Sequence, residues 1–233
     1  LSQKPDHLSS GEAQLVQIAR AMVRTPRVLL LDEPLARLDS ARQAHLRHEL
    51  AVLQSGYGVT TVMATNDPVE AMTMPSRLVV IDSGRVVQID RPDLVRRRPA
   101  SIDAAVGTGE CWLLPATVAA DQDGFWLIVD RRHDAGQPGP AIRHRAWSSA
   151  LSAYVGRDVM VGVRPEDVNV SESGPIEARS TKIVPGMHHR VWCDVGGWGG
   201  GLTPPPNARV GDVVRVRSEH LVAFAVTTRR AIV

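Results

Sequence analysis

The stretch Val28-Leu29-Leu30-Leu31, a continuous apolar run stopped by Asp32-Glu33-Pro34, restricts the possible folds most. It is too short for a helix and does not alternate. It therefore predicts a strand covered on both faces, as in a parallel sheet flanked by helices. The surrounding sequence agrees. A helix is predicted from about Ser10 to Arg24, with Leu15, Ile18, Ala19 and Met22 at helical spacing and Pro26 as its stop. A second runs from Ser40 to Gln54 with Leu46, Leu50 and Leu53 inward, broken by Gly56 and Gly58. Val59 to Ala64 reads as the next strand and Val69 to Met74 as a short helix. Leu78 to Ile81 and Val86 to Ile89 flank Ser83-Gly84 as a hairpin, and Asp93 to Arg98 forms a last helical turn before Pro99. This alternation predicts an α/β core, a parallel sheet with helices.

After about Gly107 the texture changes. Phe125 to Val129, Val159 to Val163, Arg190 to Val195, Val213 to Val216 and Leu221 to Val226 read as short strands. Gln137-Pro138-Gly139-Pro140 and Thr203 to Pro206 punctuate them. A small all-β barrel or sandwich is expected there. The two domains are placed at 1–105 and 106–233. Aromatics make up only 4% of the chain, so the cores must be aliphatic. Twenty-seven basic against 25 acidic residues give a net charge of +2, too weak a bias to argue for nucleic acid. Cys111 and Cys193 are the only cysteines and form no CxxC. No apolar run approaches the roughly 18 residues of a membrane span.

The chemistry concentrates near the start. In Leu8-Ser9-Ser10-Gly11-Glu12, Ser9 followed three residues later by Glu12 is a capping box. The small residues Ser10 and Gly11 leave the helix end open, and such an end offers free N–H groups and a positive dipole to an anion. An ordinary N-cap is the plainer reading of that pattern taken alone. It is followed, however, by Ile18-Ala19-Arg20-Ala21, by the strand ending in Asp32-Glu33, and by Leu38-Asp39. Adjacent carboxylates at the end of a buried strand suit phosphoryl transfer, one holding Mg²⁺ and its neighbour orienting the attacking water.

In this order and spacing the motifs resemble the ABC ATPase family, from its signature motif onward. Ser9 to Glu12 look like the signature, Asp32 and Glu33 like the Walker B aspartate and catalytic glutamate, and Leu38-Asp39 like the D-loop. Thr65-Asn66-Asp67 looks like the switch region, with Asn66 where the family has histidine. Val69-Glu70-Ala71-Met72-Thr73 and Val161-Gly162-Val163-Arg164-Pro165-Glu166-Asp167 look like carbohydrate-importer ATPases of the maltose, trehalose or glycerol-phosphate type, the second phrase belonging to their TOBE-type β-barrel domain. The resemblance implies ATP and Mg²⁺ as cofactors, with Asp32 as the metal ligand. Glu33 and Asn66 become catalytic residues, and Ser9, Ser10, Gly11, Glu12 and Asp39 nucleotide contacts. It also implies a second ABC ATPase domain, transmembrane permease subunits and, indirectly, an extracytoplasmic solute-binding protein as partners, at the cytoplasmic face of the plasma membrane.

Departures from the family pattern qualify this. The sequence holds no G-x-x-x-x-G-K-[ST] loop, so this stretch alone is not expected to hydrolyse ATP. It opens on Leu1 inside a polar segment, which predicts further residues upstream. Ser10 replaces a glycine, Glu12 a glutamine, Leu15 an arginine and Ala36 a serine. Two readings follow. One is an ATP-hydrolysing subunit of an importer for carbohydrates or similar solutes. The other is a truncated or degenerate subunit that lends only its signature to a partner, or an inactive remnant. Three further signals are set aside. Arg96-Arg97-Arg98 reads as a solvated helix end. His188-His189 with Cys193 lacks the ligand spacing of a metal site. The tryptophans, Trp147 among them, read as packing.

Overall fold

The computed structural model describes residues 7–24, 26–36, 38–129, 142–146, 148–170, 176–184, 190–195, 198–202, 213–218 and 220–232. The His188-His189 pair, Trp147 and the two Pro-containing loops at 137–140 and 203–206 lie outside these residues. The chain forms two compact units, Leu1–Leu78 and Val79–Val233.

In the first unit the order is α1 (Ser10–Met22), β1 (Val28–Asp32), α2 (Ser40–Tyr57), β2 (Thr60–Ala64) and α3 (Pro68–Thr73). Strands β1 and β2 pair in parallel, in register from Val28↔Thr60 to Asp32↔Ala64. Ile18 from α1, Leu29 and Leu31 from β1, Leu35 and Leu38 from the following turn, and Leu50 from α2 make one buried cluster. Each such aliphatic side chain contributes about 1.5–3 kcal/mol on leaving water.

Two details differ from the pattern expected of the sequence. Strand β1 is buried on one face only: Leu29 and Leu31 are in the core, whereas Val28 is 54% and Leu30 73% exposed. Both helices feed the same cluster, so they cover one side of the two-stranded sheet. In α1, Leu15 and Ala19 face outward, and the inward stripe runs through Gln14, Ile18, Ala21 and Met22. A polar side chain thus occupies one position of the packed face.

The second unit opens with β3 (Leu78–Asp82) and β4 (Arg85–Asp90) around Ser83 (φ 49) and Gly84 (φ 72). Two successive positive φ values are what a two-residue hairpin turn of type I′ demands. Helices α4 (Pro92–Arg97) and α5 (Ile102–Gly107) follow. The strands then run β5 (Trp112–Asp121), β6 (Gly124–Val129), β7 (Ile142–Ala146), β8 (Asp158–Val163), β9 (Val168–Val170), β10 (Ile176–Val184), β11 (Arg190–Val195), β12 (Trp198–Leu202), β13 (Val213–Ser218) and β14 (Leu221–Ala225). They form two five-stranded sheets, ordered β14-β8-β5-β6-β7 and β12-β11-β10-β13-β9. Among the described residues neither sheet closes on itself, so the expected closed barrel is not seen.

The first of these sheets packs Leu114, Ala116, Val118, Leu127, Val159, Val161 and Val163 into an aliphatic core, as the low aromatic content requires. Phe224, fully buried, packs instead with Ile102 and Ala105 of α5. Gly162 makes room for it: a Cβ there would lie 2.8 Å from the Phe224 ring. The chain's return seals this contact. The Ala231 N–H donates to Ala100 O at 3.0 Å, the Ile102 N–H donates to Arg229 O at 2.9 Å, and the Arg229 guanidinium pairs with Asp103 at 2.8 Å.

Arg164, at the end of β8, is 7% exposed and has no carboxylate partner of its own among the described residues. Its guanidinium donates to Arg96 O, Glu110 O, Ala105 O and the Thr108 hydroxyl at 2.8–3.3 Å. Two of these acceptors, Arg96 O and Ala105 O, are carbonyls of the last turns of α4 and α5, where helix ends leave acceptors without intrahelical partners. Glu166 pairs with Arg96 instead. Burial first, and the Arg96 charge second, press the Arg164 pKa downward.

Candidate functional site

Strands β1 and β2 are parallel and in register, so Asp32 and Ala64 end together at one edge of the sheet. Ligands of parallel sheets bind at that carboxyl edge. The residues that leave it are Glu33 from β1 and Thr65-Asn66-Asp67 from β2. The fold therefore brings Asp32, Glu33 and Asn66, named from the sequence, to one place. Asp32 and Asn66 are exposed and Glu33 is half-buried.

The Glu33 backbone is held in an unusual state. Its φ is 43, a left-handed conformation that non-glycine residues adopt at a cost. Three hydrogen bonds fix it. Its N–H donates to Ala64 O at 2.9 Å, and its carbonyl accepts from the Ala36 N–H at 3.3 Å and from Gln14 Nε2 at 2.9 Å. The turn beyond is anchored by buried Pro34 and by Leu35, which has no exposed surface.

On the other strand, the Thr65 hydroxyl accepts from the Asp67 N–H at 3.0 Å, and Asp67 caps α3 by accepting from the Val69 N–H at 2.7 Å. Asn66 is carried between these two anchored residues. Glu70, in α3, is 2% exposed and its Oε2 lacks any partner. Burial pushes its pKa up. Asp67 and Glu33 add to that, while Thr65 and Arg47 oppose it. Sequence reasoning quoted Glu70 only within a family phrase and missed its burial.

The capping box forms as the sequence implies. The Ser9 N–H and hydroxyl both lie 2.8 Å from Glu12 Oε2, and the Glu12 N–H donates to Ser9 Oγ at 3.3 Å. The Ser9 backbone and side-chain bonds, in that order, hold the Glu12 carboxyl below its usual range. It is therefore ionised at neutral pH. Ser10 and Gly11 form the first turn of α1. Asp39 stands at the start of α2, accepting from the Arg42 N–H at 3.0 Å and pairing with the Arg42 guanidinium at 3.4 Å. Arg42 also exerts a weak pull on the Glu12 carboxylate.

The family model for the ABC transporter matches residues 1–36, the span holding the capping box and the carboxylate pair. The trehalose/maltose import ATP-binding protein of Thermococcus litoralis is 39% identical over 178 residues, covering 72% of this chain and 44% of the relative. The spermidine/putrescine import ATP-binding protein of Pseudomonas fluorescens is 35% identical over 170 residues, covering 72% and 43%. The Fe(3+) ions import ATP-binding protein of Rhizobium meliloti is 46% identical over 164 residues, covering 70% and 38%. The chain thus spans less than half the length of these three relatives. The solutes in their names differ too much to single out carbohydrates. Over the matched span, this chain is similar to the ATP-binding proteins of ABC importers.

Proposed function

We propose that this chain is part of the ATP-binding, ATP-hydrolysing subunit of an ABC importer. In this reading residues 1–105 serve catalysis, and residues 106–233 form a regulatory portion of the TOBE type. The carrying observation is the shared strand edge: in-register parallel strands end together at Asp32 and Ala64, from which Glu33 and Thr65-Asn66 lead away. MgATP, when bound, supplies the phosphoanhydride and a cation that offsets charge between its phosphates. Asp32 fits one ligand position, as an exposed carboxylate at a strand end. Among the described residues no three His, Cys, Asp or Glu side chains gather into a protein-only cage. That donor set suits Mg²⁺, which is held by one or two carboxylates together with phosphates.

Glu33 orients the attacking water and accepts its proton. Asn66 donates a hydrogen bond toward the γ-phosphate and carries no charge at any pH. Ser9, Ser10 and Gly11 face the nucleotide of a second ATPase domain, and Asp39 lies beside that junction. In this structure the Ser9 N–H and hydroxyl are engaged by Glu12, so a phosphate must compete with that carboxylate for them.

The partners in this reading are a second ATPase domain, permease subunits and, through them, a solute-binding protein. The place is the cytoplasmic face of the membrane. No helix among the described residues is long and apolar enough to cross a bilayer. The solute is proposed to be a carbohydrate, on the strength of the phrases Val69 to Thr73 and Val161 to Asp167.

With Glu33→Gln in the complete gene product, MgATP should hold two ATPase domains together, because hydrolysis no longer releases them. Sedimentation reads this directly, and the absence of ATP-dependent association would sink the proposal. Uptake of labelled maltose or trehalose by the reconstituted importer tests the solute. Uptake of iron or polyamine in its place overturns the carbohydrate assignment.

A further inference from the structure

We propose that Gln14 is a positioning residue for Glu33. The inference rests on the assignment of Glu33 to the attacking water and goes beyond the motifs that suggested it. Gln14 occupies the packed stripe of α1, one turn before buried Ile18, where an apolar side chain would fill the space equally well. Its amide makes one hydrogen bond, from Nε2 to Glu33 O at 2.9 Å, and its Oε1 is buried without a partner. A buried orphan oxygen is a cost that packing does not require. The Nε2 contact is what the glutamine offers that leucine or methionine would not.

The recipient needs that help. Glu33 holds a left-handed φ of 43 in a residue with a Cβ, a state that persists only when its surroundings over-determine it. Strand β2 holds its N–H, and its own turn holds its carbonyl only at 3.3 Å. The shorter Gln14 bond comes from a different element, 19 residues earlier. It therefore ties the helix that begins with Ser9 to the backbone that aims the Glu33 carboxylate. Losing it leaves the carboxylate chemically intact and free to adopt unproductive directions, a loss read in turnover rather than in nucleotide affinity.

The test uses the complete gene product with its partners. Gln14→Met keeps length and packing and removes both the donor and the orphan oxygen, so thermal unfolding should be unchanged or higher. Gln14→Glu keeps the shape without the donor and serves as the second variant. In both, kcat for ATP should fall by about tenfold or more, with KM for ATP changed less than twofold. Adding Gln14→Met to Glu33→Gln should slow the enzyme no further. Amide exchange at Glu33 should be at least about tenfold faster in Gln14→Met, whatever the activity. A kcat within twofold of wild type, a loss that multiplies with that of Glu33→Gln, or unchanged exchange at Glu33 would each overturn the proposal. A Glu33→Gln protein as active as wild type would instead overturn the ATPase assignment, leaving the exchange result to judge the contact.

Discussion

Replacing Arg164 by methionine should destabilise the β-rich unit by about 2–4 kcal/mol. The figure follows from what the guanidinium leaves behind. Ala105 O keeps only a share of the single Thr108 hydroxyl proton, at 3.1 Å. Thr108 keeps its own bond to Ala104 O at 2.9 Å. Arg96 O and Glu110 O lose the donors that Arg164 gives them. Each stranded, partly buried acceptor costs about 1–3 kcal/mol, and relief of the burial cost of a charge returns part of the sum. For a unit of this size that lowers the melting temperature by roughly 4–16 °C. Differential scanning calorimetry with urea titrations followed by tryptophan fluorescence measures it. Lysine should restore less than half, because an ammonium cannot span acceptors that a planar fork reaches. Full rescue by Arg164→Lys, or a loss under about 0.5 kcal/mol for Arg164→Met, would refute the reasoning, since surface substitutions alone reach that size.

Three other outcomes are expected. Ser101 is buried and its Oγ caps α5 by accepting from the Ala104 N–H at 3.1 Å, so Ser101→Ala should cost about 1–2 kcal/mol in the same calorimetric assay. Glu70 has a folded pKa above its ordinary 4.5. The folded state thus holds the proton more tightly, and this contribution to stability is full below pH 4.5 and is lost as pH rises through the folded value. Glu70→Gln should flatten that decline, and an identical pH slope in the variant would refute it. Glu12→Gln removes the anion beside Ser9 and should lower KM for ATP severalfold in the assembled protein; an unchanged or higher KM would mean that Glu12 does not compete with phosphate.

Much of the element order was legible because its signals are local. The Ser9–Glu12 spacing specified a cap, and the β-branched run at 59–64 specified a strand. The apolar run at 28–31 specified β1 but not its exposure: periodicity reports what a strand can bury, and burial depends on which layers arrive. Leu15 misled for a related reason, since it matches the helical period but lies beside the packed stripe. The actual stripe contains Gln14, and a polar residue four positions before Ile18 was the available clue to its role. Arg164 stood in a quoted phrase, yet its acceptors lie 54 to 68 residues away. No local pattern records such a convergence. Glu33's left-handed backbone was likewise invisible, because nothing in Asp32-Glu33-Pro34 announces a positive φ.

The most direct measurement is steady-state MgATP hydrolysis by the complete gene product beside Glu33→Gln and Asn66→His. The proposed chemistry predicts that Glu33→Gln cuts turnover to a small residual rate. It also predicts that Asn66→His raises it, because a chargeable donor then faces the γ-phosphate where a neutral amide stood. Equal rates in all three proteins, or no hydrolysis by any of them when folded and supplied with MgATP and partners, would contradict it.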